Sequence, residues 1–244
     1  MSLSKNTLKL ITSLSQKKYR QKHNLFIAEG VKVVNELLQS SFKVNCLYTT
    51  DVSLFDKHKV VIEEISENEL RKLSGLKTPN KVVGVFEIPK ENALVQDVFT
   101  LALDDINDPG NLGTIIRLCD WFGITQLVCS NNTVDCYNAK VVQATMGSLT
   151  RVRIIYTDLI DFLTETQLPT YTADMEGANV YKEKLPLKAV LVMGNEANGI
   201  SNEVNAVIQQ KLTIPRFGEA QQTESLNVAT ATAILLSEFK RGLK

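Results

Sequence analysis

Hydrophobic and polar positions alternate in two rhythms along this chain. Leu8, Ile11 and Leu14 recur at helical spacing within residues 4–22, a stretch otherwise polar and basic. Leu25-Phe26-Ile27 then reads as a short strand and Val31 to Leu38 as a helix. Val44 to Tyr48, Val60 to Ile65 and Val82 to Ile88 read as further strands, with helices at Asp51 to Lys57 and Ser66 to Ser74 between them. This pattern predicts a small α/β domain over residues 1–90. Polarity rises through Pro89-Lys90-Glu91-Asn92, and residues 91–97 read as a linker.

The alternation resumes beyond the linker. Strands are expected at Phe99 to Leu103, Gln126 to Cys129, Val152 to Tyr156, Thr170 to Ala173, Ala189 to Met193 and Leu212 to Ile214. Helices are expected at Leu112 to Phe122, Ala139 to Leu149, Leu159 to Thr166 and Leu226 to Phe239. Strands separated by helices imply a largely parallel sheet covered on both faces, here over residues 98–244. Such sheets bind ligands outside the carboxyl ends of their strands. Three polar loops fall there, at 104–113, 194–201 and 215–225. Their ionisable residues are Asp104, Asp105, Asp108, Glu196, Arg216, Glu219 and Glu224, with Arg117 on the helix after the first loop.

Charge sharpens the division. The 27 basic and 27 acidic residues cancel overall. Residues 1–90 nevertheless hold 15 Lys+Arg against 9 Asp+Glu, and residues 91–244 hold 12 against 18, a split of +6 and −6. Lys5, Lys9, Lys17, Lys18, Arg20 and Lys22 precede the first acid in the chain. A basic module of this kind attracts polyanions, nucleic acid above all, although a solvated lysine-rich helix face reads the same way.

Composition removes several classes. No apolar run is long enough for a transmembrane helix, and the N-terminus lacks the pattern of a secretory signal. The four cysteines form no C-x-x-C pair and fit buried thiols in a reducing cytosol; with only two histidines, no metal site is expected. Gly110 and Gly113 do not make a dinucleotide fingerprint, and the P-loop and the hydrolase nucleophile elbow are absent. His23 and His58 both lie in the N-terminal half, away from the polar loops.

The loops carry a specific resemblance. Asn111-Leu112-Gly113-Thr114-Ile115-Ile116-Arg117 resembles the first motif of the SpoU/TrmH RNA ribose methyltransferases of the SPOUT superfamily. Gly194-Asn195-Glu196-Ala197-Asn198-Gly199-Ile200-Ser201 resembles the second. Ile214-Pro215-Arg216 with Ser225-Leu226-Asn227-Val228-Ala229 resembles the third. Phe26-Ile27-Ala28-Glu29-Gly30 and Val34-Asn35-Glu36-Leu37-Leu38 are similar to the substrate-binding domain of that family.

The resemblance implies transfer of a methyl group from S-adenosylmethionine to a ribose 2′-hydroxyl of structured RNA, ribosomal RNA ahead of transfer RNA. It also implies a C-terminal trefoil knot, a cytoplasmic homodimer and an N-terminal RNA-binding domain. It places Arg117, Asn111, Glu196, Ser225 and Asn227 at catalytic positions. Cofactor contacts fall at Gly194, Asn195, Glu196, Ile214, Pro215, Ser225, Leu226 and Asn227, largely through main-chain groups. Lys17, Lys18, Arg20 and Lys22, with Arg117, are the expected RNA contacts.

Each position also has a plainer reading. Asn111 would cap a helix beginning at Leu112, Arg117 would pair with Asp120, and Glu196 would complement the dipole of the helix after Ser201. Gly194 would let the backbone approach a ligand. Because free arginine stays protonated, clamping a phosphate and lowering the hydroxyl pKa suit Arg117 better than acting as a base. The segment between Ile214 and Ser225 is longer than is usual in the family, which leaves residues 216–224 without assigned contacts. The alternatives are a non-catalytic RNA-binding or ribosome-assembly factor that keeps the cofactor fold, and a different nucleotide-using α/β enzyme.

Overall fold

The structure, a computed structural model, describes residues 3–90, 93–218 and 225–241. Along the chain come α1 (Lys5–Ser13), α2 (Lys17–His23), β1 (Leu25–Glu29), α3 (Val31–Leu38) and β2 (Val44–Thr49). A 3₁₀ turn (Val52–Phe55), β3 (Ile62–Glu64), α4 (Glu67–Leu73) and β4 (Val82–Glu87) follow. Next are β5 (Thr100–Leu103), α5 (Pro109–Trp121), β6 (Gln126–Ser130), α6 (Ala139–Thr145) and a second 3₁₀ turn (Ser148–Thr150). The chain closes with β7 (Arg153–Thr157), α7 (Leu159–Glu165), β8 (Thr170–Asn179), β9 (Val190–Met193), α8 (Asn202–Val207), β10 (Gln210–Thr213) and α9 (Val228–Lys240).

These elements form two compact units. One comprises residues 1–90 with 135–150, the other 91–134 with 151–244. The sequence pattern runs the second domain unbroken from residue 98, whereas α6 and its flanks cluster with the N-terminal residues. The reason lies in contacts across long stretches of chain. Asp135 receives two hydrogen bonds from the Arg20 guanidinium, and the Tyr137 ring lies 4.8 Å from that of Phe26 on β1. Ala139 packs against the apolar cluster of this unit.

The first unit holds a four-stranded sheet in the order β1-β4-β2-β3, with only the β2–β3 pair parallel. Ile11 and Leu14 pack into a core with Ile27, Tyr48, Leu70, Val83 and Val85. The single basic helix expected over residues 4–22 is broken at Leu14 to Gln16. Arg20 braces the break. Its Nη1 donates to the Leu14 and Ser15 carbonyls at 2.9 and 3.0 Å, satisfying acceptors left over where α1 stops. Asn24 ends α2 in the left-handed conformation, at φ 53°.

The second unit is a six-stranded, wholly parallel sheet in the order β10-β8-β9-β5-β6-β7. On one face Ala102, Val128, Val190 and Val192 pack with Leu159 and Leu163 of α7 and Val204 of α8. Their neighbours along the strands, Leu101, Leu103, Leu127 and Leu191, are buried on the opposite face. Of α9, Phe239 stacks edge-on to both Phe99 and Tyr171, and the helix packs beside α5. Strand β8 runs to Asn179 rather than ending near Ala173, because its second half pairs with β10 past a register shift. All four cysteines are buried and none is in a disulfide. Among the described residues no helix is long and apolar enough to cross a membrane, and no cluster of His, Cys, Asp and Glu could hold a metal.

Candidate active site

The site is built at the carboxyl ends of the two central strands. Leu103 pairs with Met193, so β5 and β9 end side by side and release their loops together. Asp104 closes the join. Its N–H donates to the Met193 carbonyl at 2.9 Å, and its buried carboxylate accepts from the Ser201 N–H and hydroxyl, each at 2.8 Å. The loop leaving β9 is thereby tied at its far end to the strand beside it.

Within that loop Asn195 and Gly199 exchange two backbone hydrogen bonds of 2.9 Å. The Asn195 side chain organises what lies between. Its Oδ1 accepts from the Ala197 and Asn198 N–H groups, and its Nδ2 donates to the Asp105 carbonyl at 2.7 Å. Both ends of the amide and both main-chain groups of Asn195 are therefore used within the protein, so this residue shapes the loop around a ligand. Gly194 is required by the same fold-back. A Cβ there would lie 2.4 Å from the Gly199 carbonyl carbon, so the missing side chain makes room for the loop's own backbone rather than for a ligand. Gly199 turns the loop at φ 69°.

Three motifs then meet through side chains. Asn111 Nδ2 donates to Glu196 Oε1 at 2.7 Å, and Asn227 Nδ2 donates to Asn111 Oδ1 at 2.9 Å. Asn227 Oδ1 in turn accepts from the Ala229 and Thr230 N–H groups and caps α9. The polarity of this chain is fixed at both ends. Backbone N–H groups demand the Asn227 carbonyl, and an ionised carboxylate can only accept. Asn111 is the one residue between them, and an amide is the side chain that accepts on one side and donates on the other. It does not cap its helix as the sequence alone allows. Asp108 does that, accepting from the Asn111 N–H at 2.8 Å, and the helix begins at Pro109.

The remaining expected residues are placed as follows. Ser225 and Leu226 are exposed just before the α9 cap, Leu226 with 48% of its surface open. Ile214 and Pro215 are half-buried just beyond edge strand β10, two strands from β9. Arg117 is exposed on α5. Six residues beyond Asn111, it lies about 120° round the helix and about 9 Å along it. Asp120, its suggested partner, pairs with Arg151 at 2.9 Å instead. Lys17, Lys18 and Lys22 are exposed on α2, but Arg20 is only 2% exposed. This corrects the expectation of a phosphate contact at Arg20, because its guanidinium is consumed by Asp135 and the α1 carbonyls. Glu219 and Glu224 lie outside the described residues, as does the rest of 219–224.

The SpoU rRNA methylase family model matches residues 98–237. The chain belongs to that family. An MRM3-like substrate-binding domain matches residues 5–84, so both halves of the SpoU chain are accounted for. Over 234 residues it is 29% identical to the Bacillus subtilis 23S rRNA (guanosine(2553)-2′-O)-methyltransferase RlmP, covering 93% of each chain. It superimposes on an RNA methyltransferase of the TrmH family from Porphyromonas gingivalis with a TM-score of 0.89, 38% identity and 98% of each chain covered. An S-adenosylmethionine-bound rRNA methyltransferase from Sinorhizobium meliloti gives a TM-score of 0.86 and 30% identity, covering 100% of this chain and 97% of that one. The class of this SpoU enzyme, RNA 2′-O-methyltransferase using S-adenosylmethionine, follows from that membership.

The donor set fits the cofactor. Loops 104–113 and 194–201 contain no cation, which suits a sulfonium and disfavours a phosphate-bearing nucleotide. They offer a carboxylate, amides and main-chain groups, with the open apolar surface of Leu226 at the start of α9.

Proposed function

We propose that this enzyme methylates a ribose 2′-hydroxyl of large-subunit ribosomal RNA. The observation that carries the site assignment is the chain from the α9 cap through Asn227 and Asn111 to Glu196, which fixes three separated segments as one surface. Near-full-length similarity to RlmP and the matching substrate-binding domain support ribosomal RNA over transfer RNA.

S-adenosylmethionine, when bound, supplies an electrophilic methyl group on a positively charged sulfur. Main-chain groups of residues 194–199, Ile214 and Leu226 would hold it, with Pro215 and Ser225 beside them. Glu196 presents negative charge to a cationic ligand, and the Asn111 and Asn227 amides hold that carboxylate in place. Arg117 would bind the RNA backbone beside the reacting ribose and stabilise the oxyanion as the 2′-hydroxyl passes its proton to solvent water, a role suited to a permanent cation. Lys17, Lys18 and Lys22 gather phosphates on the first unit. We further read the working form as a cytoplasmic homodimer with a knotted C-terminal region, in keeping with the family.

The test is transfer of tritiated methyl from S-adenosylmethionine to unmodified 23S rRNA transcript, with the labelled nucleoside identified after digestion. A 2′-O-methylated nucleoside is the expected product. Label on a base, or label on tRNA alone, overturns the reading. Arg117→Ala with full turnover on the same RNA overturns the role given to Arg117.

A further inference from the structure

A recess of mixed polar and apolar lining lies in the first unit, between α1 and α2. Its volume is about 590 Å³, within the range of clefts that take a small ligand. Lys9, Gln16, Tyr19, Lys22 and His23 are among the residues that line it. Lys9, Lys22 and His23 are exposed, whereas Tyr19 is half-buried and so held in position. The Lys18 ammonium sits 4.9 Å from the centroid of the Tyr19 ring. No acid occurs before Glu29, so nothing on these two helices neutralises the recess.

The turn that joins the two helices is fastened by a buried residue. Arg20 fastens the α1–α2 turn through the Leu14 and Ser15 carbonyls and is itself anchored by Asp135. The turn between the two helices is thus braced by a buried ion pair, in which the exposed lysines take no part. That leaves the lysines available to a ligand.

We propose that this recess is a binding site for one unpaired nucleotide of the RNA substrate, with the base packed on Tyr19 and its phosphates held by Lys9 and Lys22. An aromatic ring flanked by cations is the combination that binds single-stranded nucleic acid, where the ring takes the base and the cations take the backbone. A duplex offers phosphates but no free base face, so it can use only the lysines. The site thus makes the first unit select an extruded or loop nucleotide rather than merely attract charge. It rests on the RNA methyltransferase reading and deepens it.

The experiment uses the full chain and a fluorescein-labelled single-stranded RNA of about twelve nucleotides, its duplex form, and polyglutamate of matched charge. Anisotropy should show the single strand bound more tightly than the other two. Tyr19→Ala should weaken it about 10-fold, Lys9→Glu and Lys22→Glu comparably, while Tyr19→Phe stays within about twofold. On 23S rRNA the same variants should raise KM and leave kcat unchanged. Lys9→Glu is an exposed change, so it reports on the site even if Tyr19→Ala melts early. Equal affinity for polyglutamate, or wild-type binding by both Tyr19→Ala and Lys9→Glu, overturns the proposal. If the wild-type enzyme methylates no rRNA, the functional reading falls, and the single-strand binding data alone decide the recess.

Discussion

Asn227 Nδ2 donates to Asn111 Oδ1 at 2.9 Å, joining residues 116 apart in the chain. This one contact makes the N-terminus of the last helix part of the same surface as the first loop of the sheet. Because Asn227 also caps α9, any change at Asn111 is felt by a helix end as well as by Glu196.

Asn111→Asp tests that link. The substitution keeps the shape but sets a second carboxylate against Glu196 and removes the donor that held it. Steady-state kinetics should show methyl transfer falling about 100-fold, as misplacement of site groups commonly costs. Melting should change little, since Asn111 is only half-buried. Unchanged turnover would mean the chain of amides is structural only.

Gly194→Ala should distort the loop after β9. The added carbon would lie 2.4 Å from the Gly199 backbone, which has no flexible side chain to move aside. Overpacking of this kind costs about 1–3 kcal/mol. Calorimetry should show weaker S-adenosylmethionine binding, with RNA binding to the first unit intact. Wild-type cofactor affinity would show that the loop can open without consequence.

Arg20→Met should be the most destabilising of these changes. It leaves Asp135, mostly buried, without its partner and uncaps the end of α1. Breaking one side of such a pair costs about 3–5 kcal/mol. Urea denaturation should show a large drop in midpoint, and adding Asp135→Leu should recover part of it. A loss confined to RNA binding, with stability unaltered, would restore Arg20 to the phosphate contacts.

Acid stability should depend on Glu69. The Leu3 N–H, and after it the Ser66 N–H and hydroxyl, donate to this carboxylate and lower its pKa from 4.5 to about 2. The folded state therefore binds this proton less readily than the unfolded one. The stabilisation is complete above pH 4.5 and fades as pH falls from there towards 2. Thermal melts of wild type and Glu69→Gln should converge across that window. A difference that is constant with pH would point to the capping geometry alone.

The sequence is legible where structure is local. The central strands β5, β6 and β9 of the parallel sheet show as apolar runs, and the site loops as polar interruptions, so the loops can be found before the fold. What hides is action at a distance. Nothing near Gln16 says that the first helix stops there, because the residue that takes up the carbonyls at its end is Arg20, in the next helix. Nothing near Asp135 says that it belongs with residue 20. Gly194 shows a further limit. A glycine at a strand end signals close approach, but whether to a ligand or to its own loop is settled only by where Gly199 comes to rest. Ser201 and Asp104 pair for the same reason of tertiary placement, and their types alone do not announce it.

The return of α6 to the first unit also sets a schedule. Synthesis proceeds from the N-terminus, so Arg20 emerges 115 residues ahead of Asp135. At ordinary ribosomal speeds that is roughly ten seconds in which a guanidinium destined for burial has no carboxylate. During that interval the Phe26 ring also waits for Tyr137. By the time both arrive, β5, α5 and β6 have already been made. The two units are thus completed in alternation as the nascent chain lengthens, and the first cannot finish maturing before the second has begun.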